Sequence, residues 1–503
     1  MSFRITTVTA RIGLLSVILI LILLSLQVTS GSAQDATSTL PPTNTPRGTQ
    51  PTASRTNTET RTPTITRTPT SSKTPTNTPT PQPTMVILGT YITPAQTPIT
   101  PIPPMAPTPV PSGEDVVTVL LIGSDNLTPG VESNTDTLIL VQIDRTAGTV
   151  SMMHLARDIL VYAPNHSMMK LNTVMLEGNK GGASEGAQLL KDTIQYNFGI
   201  KVDFYAHVNF DGFQKIIGQL GGLDISVDCA IQGHRLKSPT LDAYKADSYE
   251  LYTLPIGYQH LDPYMALWYV RSRGSSSDID RGRRQMDVLR AMWHQAKTVG
   301  LFAQVTQLWP EAQQIVTTDL TLQDVIGLVP FGINLDPTRI QSINVDLTTG
   351  YKIWYTPDVG QYTLLMNRDV WRKAVQDFVT PPSANRLNGE SPTVEIGAAL
   401  PIKGLDQVAA DELAWQGFTT KVLGTEGVVK RDQTVIYDYT GNAKPDSRQI
   451  MMQTLRVNKN AFIDKPDPNR TVDFRVEMGR DYGRSCLYTL PPEFQDITAT
   501  PKP

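Results

Sequence analysis

Arg271 and Arg273, followed closely by Arg281, Arg283, Arg284 and Gln285, concentrate cations in a chain whose formal net charge is only -3. Guanidinium groups form forked pairs of hydrogen bonds with phosphate oxygens, a geometry that lysine does not reproduce. Read as alternating positions of a strand, Arg271 and Arg273 project from one face and can clamp a diphosphate. Arg281 and Gln285 stand four residues apart at the start of a helix, so they share a face and point back at the same ligand. The competing account is a solvated basic patch neutralised by Asp278, Asp280 and Asp287. The apolar approach Met265-Ala266-Leu267-Trp268 belongs to a core rather than a surface, which weighs against it.

A second set of polar residues sits where apolar runs end. Asp125 follows Val116-Val117-Thr118-Val119-Leu120-Leu121-Ile122-Gly123, Asp136 opens the run Thr137 to Ile143, and Arg157-Asp158 follows Thr149 to Leu155. Open α/β sheets place ligands at strand-end loops. Two neighbouring carboxylates can hold one Mg²⁺ through hard oxygen ligands and leave coordination positions for phosphate oxygens. Taken singly, each aspartate also reads as a turn or helix-cap residue.

The runs that must position these residues are near-continuous and β-branched, as in strands buried on both faces. Gly186 to Phe198 then carries Ala187, Leu189, Leu190 and Ile194 at helical spacing. Phe204 to Phe210 returns to strand alternation, and Phe213 to Leu220 and Met286 to Val299 read as amphipathic helices. Interleaved strands and helices predict an α/β layered sandwich.

Gly123-Ser124-Asp125, Asn134-Thr135-Asp136-Thr137, Ala156-Arg157-Asp158, Lys170-Leu171-Asn172, Leu220-Gly221-Gly222-Leu223-Asp224, Ala266-Leu267 with Arg271-Ser272-Arg273, and Asp278 to Gln285 stand in the order of the LytR-CpsA-Psr family. As an ordered set over roughly Val116 to Gly300, they make the chain resemble that family. The resemblance implies an α/β/α sandwich around a mixed sheet, an apolar tunnel for a lipid tail, and Mg²⁺-assisted transfer of a glycopolymer phosphate. The donor would be a polyprenyl pyrophosphate-linked glycan, the acceptor a hydroxyl of peptidoglycan or another wall glycan, and the released product polyprenyl phosphate. Residue by residue, it assigns Asp125 and Asp136 to the metal, and Arg157, Arg271, Arg273, Arg281 and Gln285 to the pyrophosphate, with Lys170 as a further candidate. Asp136, by position, would accept the proton of the incoming hydroxyl. Two departures bear on substrate choice or rate: Asn134 stands where many members have Arg, and Ala156 where proline usually precedes Arg-Asp.

Arg4 and Arg11 precede an apolar run from Ile12 to Val28, and Gly31-Ser32-Ala33 follows it. This is an export signal, cleaved or kept as a membrane anchor, at the short end of what spans a hydrocarbon core of about 30 Å. The positive charge before the run puts the remainder outside the cytoplasm. Residues 35–111 are rich in Thr, Pro and Ser and cannot form a core. As extended polyproline at about 3.1 Å per residue they would reach on the order of 200 Å, either as a stalk whose length matters or as a passive linker. The head is expected over 115–382.

A smaller α+β domain is expected over 392–490, with strands at Thr393–Ile396, Thr419–Leu423, Thr434–Tyr437 and Val472–Val476 and helices at Asp406–Gly417 and Ser447–Leu455. It loosely resembles the C-terminal domain of some family members. It carries no catalytic constellation of its own.

Two cysteines, Cys229 and Cys486, give no zinc spacing, and either a disulfide or two buried thiols would fit. The charge balance offers nothing to nucleic acid beyond a local cluster. Two other functions use the same residues: an exported module that binds an anionic glycopolymer, and a hydrolase that passes polyprenyl pyrophosphate's phosphate to water. Metal-dependent turnover separates an enzyme from the binder, and acceptor dependence separates a transferase from the hydrolase.

Overall fold

The computed structural model describes residues 85–86, 100–110, 115–125, 134–182, 185–242, 244–273, 277–382, 387, 390–400 and 402–482. The N-terminal apolar run, most of the Thr/Pro-rich stretch and Cys486 lie outside the described residues; the end of that stretch, 100–110, is not part of a free stalk but packs on the head, where the Ala106 amide donates to the Tyr196 carbonyl at 2.8 Å and the Tyr196 hydroxyl donates to the Pro103 carbonyl at 2.9 Å. Among the described residues no helix is long and apolar enough to cross a membrane.

Six strands form the central sheet: β1 (Val116–Ser124), β2 (Thr135–Asp144), β3 (Thr149–His154), β4 (Phe204–Val208), β5 (Val316–Thr318) and β6 (Ile340–Ile343), in the order β5-β4-β1-β2-β3-β6. The β1-β4 and β3-β6 pairs are parallel, and the other three neighbouring pairs are antiparallel. Alternate side chains enter two separate cores, as the period of two requires. Val119, Ile139, Ile143, Val150, Met152 and Ala206 pack against α2 (Phe210–Gln219), α3 (Pro263–Arg271), α4 (Asp278–Thr298) and α5 (Leu322–Asn334). Leu120, Ile122, Leu138, Leu140 and Met153 pack against α1 (Glu185–Phe198) and α6 (Arg368–Val379). The head is therefore an α/β/α sandwich around a mixed sheet. Helices on both faces explain why the strand sequences are apolar almost without interruption.

One expected element is wrong. Arg271 and Arg273 do not alternate on a strand: the segment is α3, which ends at Arg271, and Arg273 lies beyond the helix end. The helix starts where Asp262 accepts a hydrogen bond from the Met265 amide at 2.8 Å and Pro263 takes the first turn. Residues Ala266 to Val270 are all buried. An all-round apolar stretch carries no readable period, so the cap at Asp262-Pro263 was the only decisive signal. Helix α4 starts ahead of the amphipathic pattern at Met286 and takes in Arg281 and Gln285, as their spacing predicts, because Ser277 accepts from the Asp280 amide at 3.1 Å and Asp278 and Asp280 complement the positive end of the helix. Arg281 to Gln285 consequently belong to its first two turns.

A C-terminal lobe forms a five-stranded sheet from β7 (Thr393–Gly397), β8 (Thr419–Gly424), β9 (Val435–Asp438), β10 (Phe462–Asp464) and β11 (Phe474–Glu477), in the order β8-β7-β11-β9-β10. Its helices are α7 (Leu405–Ala414) and α8 (Pro445–Thr454). Strand β10, short and mostly exposed, carries too little apolar pattern to have been expected. The lobe's core takes in Ala230 and Ile256 from the head, so the two share buried surface. Trp415 reaches the head as well, its ring 5.9 Å from that of Trp293 and beneath the Arg290 guanidinium at 4.0 Å. Cys229 is disulfide-bonded, in a chain that has two cysteines.

Candidate active site

The site is built where β1 and β2 end. Gly123 pairs with Thr137 and Ser124 with Thr135, so Asp136 is the extra residue of a β-bulge. A bulge re-aims one side chain out of the ladder, and here the side chain is a carboxylate. Gly123 sits beside the bulge with little room to spare, since a Cβ there would lie 3.0 Å from the Thr137 Cβ. Asp125 lies just past the end of β1 and is exposed.

Arg157, from the loop after β3, ion-pairs with Asp136 through Nη1, and its Nε lies 3.6 Å from Asp158. Lys170 holds the other oxygen of Asp158 at 2.8 Å. From α4, Arg281 donates to the backbone carbonyl of Asp136 at 3.0 Å and reaches Asp278 at 2.7 Å. Gln285, one turn on, donates to Thr137 Oγ1 at 2.8 Å and to the Val270 carbonyl at 3.1 Å. The helix spacing thus brings Arg281 and Gln285 to the same strand end, as the sequence predicts. Arg271 is exposed at the end of α3, with its guanidinium 4.0 Å over the Phe210 ring. Arg273 stands farther out, 3.8 Å from Asp278.

The electrostatics are uneven. Burial lowers Arg271 and Arg281, and the carboxylates around them, Asp136 and Asp125 for the first and Asp278 and Asp136 for the second, do not make up the difference. Burial acts the same way on Arg157, but Asp136, Asp158 and Asp278 outweigh it and raise that group. Arg157 Nε, Arg281 Nε and Gln285 Oε1 are buried with no hydrogen-bond partner among the described residues. Both carboxylate oxygens of Asp278 are in the same state despite its ion pairs, and since buried polar atoms in native proteins are almost always bonded, the cluster has unmet capacity for a polar ligand that offers both acceptors and donors.

Behind the charges lies a cavity open to solvent, with Asp136, Arg271, Arg281 and Gln285 in its polar lining at the mouth. Its interior is apolar, from Leu121, Ile139, Phe213, Leu267, Val288 and Met292, on the side of the sheet covered by α2, α3 and α4. A second, smaller apolar space lies under α4 and shares Leu121 and Leu289 with it. An anion clamp at the mouth of an apolar cavity suits a phosphorylated lipid.

Two participants went unrecognised in the sequence. The sequence assigns Asp278 no role beyond neutralising a basic patch and standing in the Asp278 to Gln285 run, yet both Arg273 and Arg281 converge on it. His207, from β4, meets Ser124 Oγ at 2.8 Å, and burial lowers it to about 4, which keeps the imidazole neutral at neutral pH. A single histidine in an apolar strand gives no pattern from which to infer that.

Comparison with known proteins agrees with the motif order. The profile of the LytR_cpsA_psr family matches residues 96–369. The polyisoprenyl-teichoic acid–peptidoglycan teichoic acid transferase TagT of Bacillus subtilis is 29% identical over 260 residues, which cover 51% of this chain and 74% of TagT. The transferase of the same description named TagV, also from Bacillus subtilis, is 24% identical over 247 residues, covering 48% of this chain and 59% of TagV. The crystal structure of B. subtilis TagV superposes with a TM-score of 0.42 at 22% identity, over 53% of this chain and 99% of that one.

Proposed function

The chain belongs to the LytR_cpsA_psr family, and from that premise we propose that it moves a glycopolymer phosphate from a polyprenyl pyrophosphate carrier to a hydroxyl of a wall glycan. The observation that carries this reading is the cavity mouth, where Arg271, Arg281 and Gln285 surround the opening of an apolar space. The names of its relatives TagT and TagV, both teichoic acid transferases, support the same reaction class.

In this mechanism the lipid tail lies in the cavity and the pyrophosphate at its mouth. The acceptor oxygen bonds to the phosphorus that carries the glycan. The bond from that phosphorus to the bridging oxygen breaks, and polyprenyl phosphate leaves with the electron pair. Arg271, Arg273 and Arg281 offset the charge that grows on the leaving phosphate, and Arg157 holds the transferred phosphoryl group; such transfers depend on positioning and charge more than on covalent help. The hydroxyl proton passes to Asp136, whose carboxylate Arg157 orients. Asp125 and Asp136 are the residues that would hold Mg²⁺. Two carboxylates at adjacent strand ends, both acting on Arg271, would offer a hard cation the oxygen donors it prefers. When bound, the ion supplies further charge neutralisation on the phosphate oxygens. The N-terminal run would anchor the chain, with the head outside the cytoplasm at the end of the Thr/Pro-rich stretch.

The test is turnover of a short polyprenyl pyrophosphate glycan by the detergent-solubilised full chain, with Mg²⁺ or EDTA and with or without a wall-glycan acceptor. The expected result is Mg²⁺-dependent polyprenyl phosphate release coupled to labelling of the acceptor. Release without labelling would make the protein a hydrolase, and binding without release would make it a glycopolymer-binding module.

A further inference from the structure

On the other side of the sheet from the cavity, a hairpin of Tyr351–Tyr355 and Tyr362–Met366 stands beside the site. We propose that it is the platform for the acceptor glycan, with a sugar ring lying on Tyr355 and Tyr362 and its hydroxyls bonded to Lys170 and Asp158. This rests on the transferase reading above and adds to it the place where the second substrate binds.

Three observations carry it. First, one face of the hairpin passes from core to open surface. Tyr351 and Leu364 are buried in the layer beneath the sheet, whereas Tyr355, two pairs farther along the same face, is 60% exposed. Tyr355 pairs directly with Tyr362, and their rings meet edge to face at 5.9 Å. Aromatic rings held in a corner by a sheet pair form a rigid apolar surface, and tyrosine adds a polar edge to it. A sugar ring presents the complement, an apolar C–H face rimmed by hydroxyls.

Second, the hairpin is fastened to the catalytic loop. Ile159 bridges to Leu364, and the Leu364 amide donates to the Asp158 carbonyl at 2.9 Å. Lys170 lies 6.0 Å from the Tyr362 ring centre while its ammonium holds Asp158. The tyrosine corner is therefore fixed relative to Arg157 and Asp136, with a hydrogen-bond donor and an acceptor at its base.

Third, the direction is right. In an in-line displacement the incoming and leaving oxygens lie on opposite sides of phosphorus. The leaving polyprenyl phosphate departs toward the cavity under α2, α3 and α4, so the hydroxyl must approach from the side of Arg157 and Lys170. The hairpin is on that side.

Calorimetry of the full chain with a soluble four-sugar wall-glycan fragment, alongside separate KM values for fragment and donor, tests this. Tyr355→Ala is expected to weaken fragment binding and raise its KM by roughly tenfold, while Tyr355→Phe stays within about twofold and the donor KM does not move. Unchanged fragment binding in Tyr355→Ala overturns the proposal, as does an increase confined to the donor KM, which would mean that the corner holds the donor's glycan. Failure of the wild-type chain to bind the fragment overturns it too. Tyr355-dependent binding without any transfer by the wild type supports the platform while removing the transferase reading.

Discussion

Helix α4 carries arginines on two sides, and the two sides are in opposite electrostatic states. Toward the cavity mouth, Arg281 is buried with fewer carboxylates than its burial demands, and burial lowers it; Arg271, across the mouth on α3, is lowered as well, although its side chain reaches the surface. Toward the C-terminal lobe, Arg283 contacts Asp228, Asp280 and Asp287 within 3.3 Å. Burial acts against its charge as well, but these carboxylates raise it well above its ordinary value. Arg284, fully buried, bonds Asp280 and the carbonyls of Tyr269 and Ser272. A residue two positions along a helix faces nearly the opposite way, so one short basic run serves as an open anion clamp and as a closed structural joint. Composition cannot tell these apart; the count of carboxylates facing each side can.

Removing a clamp arginine is the strongest way to probe that division. Arg271→Ala leaves the packed layers intact, because the side chain is exposed and stacks only on the edge of the site. We expect transfer to fall by about 10²–10³-fold, the loss seen when one preorganised charge-stabilising donor is removed, with a melting temperature close to wild type. Comparable loss of stability and activity together would erase the distinction between clamp and joint.

The joint should behave in reverse. Arg456, just past α8, bonds Asp228 and lies 3.3 Å from Cys229 Sγ. It does so from a left-handed backbone, φ 55°, at a helix end where glycine is usual. Arg456→Ala should cost about 2 kcal/mol, below the range for fully buried pairs because the side chain is a quarter exposed. Arg456→Gly relieves roughly 1 kcal/mol of backbone strain and should cost correspondingly less. Thermal unfolding separates the two variants, and kcat/KM measured below the transition should stay within a few-fold of wild type. A Gly variant no more stable than the Ala variant would show that the Asp228 contact, and not the backbone conformation, sets this position.

Much of this arrangement was legible in the sequence. The strands that build the sheet announced themselves as β-branched runs, and each expected acid or arginine at a strand end, from Asp125 to Arg157, does lie at one. Arg281 and Gln285 converge because a four-residue spacing leaves a helix little choice. The strand assigned to Arg271 and Arg273 failed because five successive buried residues hide the helical period, leaving only the cap at Asp262-Pro263 to reveal it. The division between Arg281 and Arg283 could not be read at all, since the partners that saturate Arg283 come partly from Asp228, far away in the chain. Nor could the tyrosine corner, which depends on a hairpin docking beside a loop about two hundred residues earlier.

The smallest expected effect tests whether the joint holds too many carboxylates. Glu412, on α7, is raised from its ordinary 4.5 to about 7, first by burial and then by Asp228, with Arg290 opposing and Asp287 and Asp411 adding to the rise. A carboxyl whose folded value lies above its unfolded one favours the native state below about pH 4.5, and that contribution is lost as pH rises through 7. Asp228 is opposite in sign: burial would raise it, but Arg283 and Arg456 hold it at about 2, so its contribution is present above its ordinary 3.8 and lost only as pH falls through 2. Between pH 5 and 8 the wild type should therefore lose stability through Glu412 while Asp228 stays constant. Glu412→Gln keeps the shape without the titration, and its melting temperature should be nearly level over that range and higher than wild type at pH 8. If the Gln variant follows the wild-type curve throughout, Glu412 does not carry the excess charge, and the contrast between an under-filled clamp and an over-filled joint rests on the arginines alone.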